Sequence, residues 1–141
     1  MKHPQLRVYC VKYTTDEIRN KTKEGKMGYT NYWKQNKSFT DKEWKLIKDE
    51  YDYLKEVCEG IIIDETKKTD EIVFNGNSIG DLCHETFVLS KSPRTKEAYK
   101  GEDLSFNFCK TACKPYDLAV WHLLSFAKNN TKGLNDISRD R

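Results

Sequence analysis

The sequence lacks long hydrophobic runs and a strong excess of charge of either sign. No apolar run approaches the roughly 20 residues of a transmembrane helix, so we expect no membrane partner. The 25 Lys and Arg residues and the 22 Asp and Glu residues leave a net charge of +3. That balance argues against a protein that coats long nucleic acid through many phosphate contacts. At 141 residues the chain is expected to form one domain over residues 1–141, in the cytoplasm.

Common enzyme and metal motifs are also missing. The sequence has no GxGxxG, GxxxxGK[ST], HExxH or GxSxG motif, and we assign no catalytic residue. Its five cysteines, at positions 10, 58, 83, 109 and 113, lack the paired CxxC spacing of a zinc site. The pair at 109 and 113 with His84 or His122 is the alternative metal set, but free cysteine is more often a small buried hydrophobe. We therefore predict no metal and no cofactor.

Two amphipathic helices are predicted from periodicity and capping. A capping box of Thr40 and Glu43 opens the first helix, which ends at Gly60. The second helix is expected to begin near Pro115, because a missing N–H costs nothing at a helix start. Its buried side is formed by Leu118, Ala119, Val120, Leu123, Leu124 and Ala127. The polar tail, residues 133–141, is expected to be disordered.

Strands are predicted before and between these helices. The segments are residues 5–13, as a central strand, and residues 61–64, 71–74, 83–90 and 104–109. For the polar residues 14–38 we expect a short helical turn and then a loop, and Asn75–Gly76 is a strong turn dipeptide. The simplest arrangement that buries every apolar stripe is a small antiparallel sheet of four or five strands with both helices on one face. The predicted class is therefore α+β.

A polar cluster separates the last predicted strand from the last predicted helix. Lys110, Thr111 and Lys114 lie just before the first turn of that helix, where free N–H groups and the helix dipole favour an anion. Tyr116 either covers the site with its ring or anchors the turn. Asp117 complicates this interpretation, because it could cap its own helix and repel an anion. The sequence thus predicts a phosphate-binding site at the helix start.

Further candidate residues lie outside this cluster. His84 and Thr86 share a strand face, but a lone HxT is weak evidence for phosphodiesterase chemistry. Arg94 and Lys96 belong to a basic loop. Trp33, in an aromatic cluster with the tyrosines at 29 and 32, could stack on a base. The commoner outcome for such a cluster is that its rings pack over the core or at a subunit interface.

Three segments together suggest a family. FNG at 74–76, HETF at 84–87 and FCKTACKPYDLAV at 108–120 resemble, in order and spacing, a family of small proteins that is widespread in tailed bacteriophages. One group similar to this family consists of anti-CBASS sponges, which bind cyclic oligonucleotide immune signals without cleaving them. The resemblance implies a homo-oligomer with nucleotide pockets that acts in the cytoplasm of the bacterial host. It covers about residues 71–128.

The favoured hypothesis is a non-enzymatic phage protein that sequesters a cyclic di- or trinucleotide or a related nucleotide signal. In this hypothesis Lys110, Thr111 and Lys114 bind phosphates. A base stacks on Tyr116 or Trp33, and Asn75 contacts a base edge or a ribose from its turn.

Two alternatives belong to other functional classes. The first is a small phosphodiesterase or nucleotide hydrolase, with His84 and either Glu85 or Asp117 in proton transfer. The second is a protein–protein inhibitor of a host defence factor that docks through the aromatic residues at 29, 32 and 33. Cleavage of the bound nucleotide would identify the hydrolase, and the absence of any nucleotide binding would favour the protein–protein inhibitor.

Overall fold

The structure, a computed structural model, describes residues 29–94 and 104–140. The described chain has an α+β fold with two helices and two antiparallel sheets of three strands each. In chain order the elements are β1 (Thr30–Gln35), α1 (Asp41–Val57), β2 (Ile62–Asp64), β3 (Glu71–Gly76), β4 (Phe87–Ser90), β5 (Phe106–Lys110), α2 (Asp117–Asn130) and β6 (Leu134–Arg139). Sheet A has the strand order β5-β1-β6, and sheet B has the order β2-β3-β4.

The predicted fold class is confirmed, but the predicted single sheet of four or five strands is replaced by two sheets of three. The difference arises at β1, which lies in the segment that we expected to be a loop. β1 is the central strand of sheet A, and its inward side carries the polar residues Asn31 and Gln35 beside Trp33. Polar residues on the buried side hide the alternation that would have predicted a strand. The strand predicted at residues 5–13 lies outside the described residues.

The chain past Gly133 is a strand where we expected a disordered tail. β6 pairs antiparallel with β1, so that Tyr32 lies opposite Ser138 and Lys34 lies opposite Asp136. This segment is ordered by backbone pairing together with two apolar side chains, Leu134 in the core and Ile137 packed against it, which are too few to outweigh its polar composition in the sequence. A side chain at position 133 would clash, because a Cβ there would lie 2.4 Å from Cδ1 of Phe39.

Both helices follow their predicted patterns. At the start of α1, Glu43 N donates to Thr40 Oγ1 at 3.1 Å and Thr40 N donates to Glu43 Oε1 at 2.9 Å, which is the predicted capping box. α2 begins at Asp117, two residues after Pro115, and every member of its predicted apolar set is buried except the half-buried Leu118. No helix in the described ranges is long and apolar enough to cross a membrane.

Aromatic rings join the two sheets and α1 into one core. Trp33 of sheet A packs on Phe87 of sheet B with ring centroids 5.2 Å apart, and Phe87 lies 5.0 Å from Phe74. Tyr51 of α1 stacks on Phe74 at 5.4 Å. Buried α2 residues belong to the same cluster. Sheet A therefore buries one face against the rest of the molecule and presents the other outward.

The turn and the strand predicted around residues 75–90 are shifted. Asn75 and Gly76 are the last residues of β3, where they pair with β2, and the turn follows at residues 78–81. A Cβ at Gly76 would lie 1.8 Å from the carbonyl oxygen of Leu82, so the returning loop requires glycine there. Of the strand predicted at 83–90, only Phe87–Ser90 forms β4, and His84 lies in the preceding loop.

Candidate functional site

The first two N–H groups of α2 are already hydrogen-bonded within the chain. Asp117 N donates to Lys114 O at 2.9 Å, and Leu118 N donates to Pro115 O at 3.2 Å. A tight turn before the helix supplies these carbonyl oxygens. The predicted phosphate site depended on free donors at this position, and the turn has used these two.

The Asp117 side chain is the centre of a buried network. Its Oδ1 accepts hydrogen bonds from Asn31 Nδ2 and from Thr111 Oγ1, each at 2.6 Å, and its Oδ2 forms an ion pair with Arg139. Asn31 and Thr111 are fully buried. We call these four residues the Asp117 network. Because the Thr111 hydroxyl is buried and donates to a carboxylate, it is not presented to a phosphate.

Tyr116 anchors the turn, which was one of the two alternatives for this residue. Its ring is fully buried, and its hydroxyl donates to the carbonyl oxygens of Glu85, at 2.6 Å, and Lys110, at 3.3 Å. Burial is the main cause that raises the pKa of this phenol. A ring in this position is not available to stack on a ligand base.

Asn75 also holds the chain together. Its side-chain nitrogen donates to His84 O at 3.0 Å and to Thr86 Oγ1 at 3.2 Å, while its oxygen accepts from His84 N at 3.1 Å. These bonds fix the loop that leads into β4. The structure thus brings Asn75, His84 and Thr86 together, as the predicted site required, but it commits the Asn75 amide to the loop.

The two predicted lysines differ in their partners. Lys114 Nζ donates to Asp81 O at 2.9 Å and to Asp81 Oδ2 at 3.2 Å, and its side chain is 11% exposed. Lys110 is exposed, and its Nζ lies 5.9 Å from the ring centroid of Phe108. Lys114 therefore fixes the loop at Asp81, whereas the Lys110 ammonium is presented to solvent beside an aromatic ring.

The remaining predicted residues are separated from the helix start. Trp33 is 3% exposed and belongs to the core, so its ring is not presented to a base. Arg94 is exposed at the edge of β5, where its Nη2 donates to Phe106 O at 2.7 Å. Lys96 lies outside the described residues. Of the ten predicted site residues, Lys110 and Arg94 are the two basic residues that lie along β5.

A row of aromatic rings lies on the outward side of sheet A. Tyr32 and Phe106 have ring centroids 5.8 Å apart with an interplanar angle of 30°, and Phe106 and Phe108 are 6.1 Å apart at 38°. Phe108 is 49% exposed, and the other two rings are half-buried. We call these three residues the aromatic face. Outward-pointing Lys34 and Lys110 lie beside it on β1 and β5.

The side of sheet A behind the aromatic face is buried at Cys109 and partly buried at Tyr29. Burial raises the pKa of the Cys109 thiol to about 12, and the nearby Glu85 and Asp117 carboxylates add to the effect. Burial likewise raises the pKa of Tyr29 to about 12, with a further contribution from Asp117. These shifts favour neutral groups behind the strands. The cationic Lys110 lies in front of them.

No set of three metal-ligating side chains occurs in the described ranges. The alternative metal set is dispersed. Cys109 donates to the backbone oxygen of Glu85 at 3.5 Å, and His122 Nε2 lies 2.6 Å from the buried Glu50 carboxylate. The latter contact joins α2 to α1.

Comparison with known proteins adds no relative. No family model, no curated protein and no solved structure matches this chain. We therefore infer its function from the chemistry of its own surface.

Sequence reasoning missed the aromatic face as a site. The alternation along residues 104–109 places Phe106 and Phe108 on one side of the strand, but alternation alone does not say which side is buried. Cys109 occupies the buried side. Tyr32 was grouped with its buried neighbour Trp33. A useful signal was the lysine that shares a side with the two rings. Phe106, Phe108 and Lys110 lie on the same side of β5, and because lysine is almost never fully buried, that side is expected to face solvent.

Proposed function

We propose that this protein is a phage counter-defence factor that sequesters a cyclic di- or trinucleotide immune signal without cleaving it, in the cytoplasm of its bacterial host. The observation that carries the proposal is the aromatic face with the Lys110 ammonium beside it. Aromatic rings bind nucleobases by stacking, and lysine binds phosphate, so the two together suit a nucleotide. The proposed site thus lies on sheet A and not at the start of α2.

The resemblance to small phage proteins supports the same class of function. Its FNG, HETF and FCKT..KPYD segments contact one another, because side chains of each segment hydrogen-bond to the backbone of a neighbouring segment. In this proposal these segments support β5 and hold its outward residues in place. The homo-oligomer implied by the resemblance is part of the proposal, and sedimentation analysis of the purified protein tests it.

A non-catalytic role is supported by the state of Asp117, one of the candidate acid and base groups. Asp117 is buried and bonded to three side chains, and Glu85 Oε1 accepts a hydrogen bond from Lys110 N at 3.1 Å. His84 is exposed in a loop. Proton transfer requires an acid or base that can reach the substrate, and a buried, fully bonded carboxylate cannot.

The test is calorimetric titration of the purified protein with a panel of cyclic di- and trinucleotides. We expect saturable binding to at least one of them. The complex is then denatured and the released nucleotide is analysed by chromatography, where intact ligand is expected. New products would instead establish the hydrolase alternative. If no member of the panel binds, the proposal is wrong and the protein–protein inhibitor takes its place.

A further inference from the structure

The aromatic face offers more than one place for a base. Its three rings occupy two neighbouring strands, because Tyr32 on β1 lies directly opposite Phe108 on β5. The centroid spacings of 5.8 and 6.1 Å exceed the about 3.4 Å between stacked neighbours along one strand of a duplex. Two bases that lie on two of these rings would therefore be separated from each other, as bases are on the sheets of single-strand-binding proteins.

The amide groups of β1 and β5 that would read base edges are committed elsewhere. Asparagine and glutamine amides are typical readers of base edges. β1 and β5 carry three amide residues, Asn31, Gln35 and Asn107, and each donates within the chain. Asn31 bonds to Asp117, Gln35 Nε2 bonds to Ser90 O at 2.9 Å, and Asn107 Nδ2 bonds to Ser105 O at 3.0 Å. Beside the rings, the lysines at 34 and 110 bind phosphate without distinguishing bases, and β6 places Ser138 opposite Tyr32 and Asp136 opposite Lys34.

We infer that the aromatic face is a stacking platform that selects its ligand by the number of bases and not by their identity or by ring closure. This inference rests on the proposed function and names its ligand class: nucleotides with at least two adjacent bases joined by a phosphodiester, whether cyclic or linear. Stacking tolerates any base, because every base has a flat aromatic surface. The Lys110 ammonium contributes a contact to the phosphodiester.

The experiment compares ligands that differ in one property at a time. Affinities are measured by calorimetry for AMP, for linear di-adenylate, for cyclic di-adenylate and for the corresponding guanine and uracil dinucleotides. A second stacked base is worth roughly 1 to 3 kcal/mol, so we expect the dinucleotides to bind about 5- to 150-fold more tightly than AMP. Linear and cyclic di-adenylate are expected to bind within about tenfold of each other, a difference of about 1.4 kcal/mol.

Variants connect the effect to the rings. Phe108→Ala should lower dinucleotide affinity by about 5- to 150-fold, and Phe108→Leu, which keeps apolar bulk without a flat ring, should lower it similarly. Val88→Ala is the matched control, because Val88 is 42% exposed on sheet B and lies outside the aromatic face. Thermal melting of each variant verifies that it remains folded.

Two results would overturn the inference and leave the proposed function standing. One is equal affinity for AMP and the dinucleotides. The other is a single cyclic dinucleotide that binds more than about a hundredfold better than its linear form or its base variants, a difference of about 2.7 kcal/mol. Failure of every nucleotide to bind would instead contradict the proposed function itself.

Discussion

The Asp117 network and the aromatic face lie on opposite sides of sheet A and make opposite use of their side chains. In the network, polar groups are buried and bonded around Asp117, with Asn31 Oδ1 and Arg139 Nε the two buried side-chain atoms of the described residues that have no partner, whereas on the aromatic face apolar rings are partly exposed beside lysines. Burial of polar groups is favourable only when their partners are in place, so the network has a structural role. The exposed rings are not bonded in this way to any part of the chain that the structure describes. The contrast teaches that in this chain the residues most typical of a ligand site stabilise the fold.

The largest expected effect is the loss of stability when the Asp117 network is broken. Asp117→Ala removes the partner of the Arg139 guanidinium and leaves the amide of Asn31 and the hydroxyl of Thr111 without an acceptor. Removal of one partner of a buried ion pair costs about 3 to 5 kcal/mol, and we expect the free energy of unfolding to fall by that amount. Urea denaturation measures it.

The aromatic face supplies the comparison for that measurement. Phe108 is half-exposed, so Phe108→Ala should change the unfolding free energy by no more than about 1 kcal/mol. Equal losses in the two variants would mean that the two regions do not differ in the way described here.

Parts of the fold could be predicted from the sequence because their signals are local. The capping box at Thr40 and the helical periodicity after it need only neighbouring residues, and so does the β2–β3 hairpin. β1 and β6 could not be predicted in this way. Each is ordered by pairing with a strand far away in the chain, and β1 carries polar residues on its buried side.

The candidate site shows the same limit more sharply. The sequence placed Thr111 and Asp117 together, but the amide that bonds to Asp117 is 86 residues away, at Asn31. Without that partner a buried carboxylate and an active-site carboxylate look alike in sequence. Lys110 and Lys114 were likewise equivalent until the structure placed Asp81 beside Lys114.

An intermediate effect on the free energy of unfolding is expected at alkaline pH, because the buried side of sheet A contains groups whose pKa values are raised. Burial raises the pKa of Cys109 from its usual 9.0 to about 12, so the folded protein holds this proton at pH values where the unfolded chain has lost it. The resulting stabilisation is complete below pH 9 and is lost as the pH rises towards 12. The expected slope is about 1.4 kcal/mol per pH unit for this group.

Urea denaturation between pH 7 and 11 checks the onset. Cys109→Ala should move the onset of the decline from about pH 9 towards pH 10, where Tyr29, whose pKa is raised to about 12, begins to contribute. Cys83→Ala is the control, because Cys83 is only half-buried and lies in a loop. If Cys109→Ala does not change the pH at which the unfolding free energy begins to decline, the pKa of the Cys109 thiol is not raised by burial.

The smallest effect on stability, and the sharpest test of the comparison, comes from the two lysines. Lys114→Gln breaks an ion pair whose partner Asp81 is 86% exposed, so the unfolding free energy should fall by no more than about 1 kcal/mol. Lys110→Gln should leave stability unchanged within that margin, because the Lys110 ammonium contacts an exposed ring. In dinucleotide titrations the order of the two variants reverses. Lys110→Gln should weaken binding about 10-fold or more, because a charge-assisted bond to phosphate is worth roughly 1.5 to 3 kcal/mol. Lys114→Gln should bind dinucleotides as the unmodified protein does. Weaker binding in Lys114→Gln with normal binding in Lys110→Gln would return the site to the start of α2.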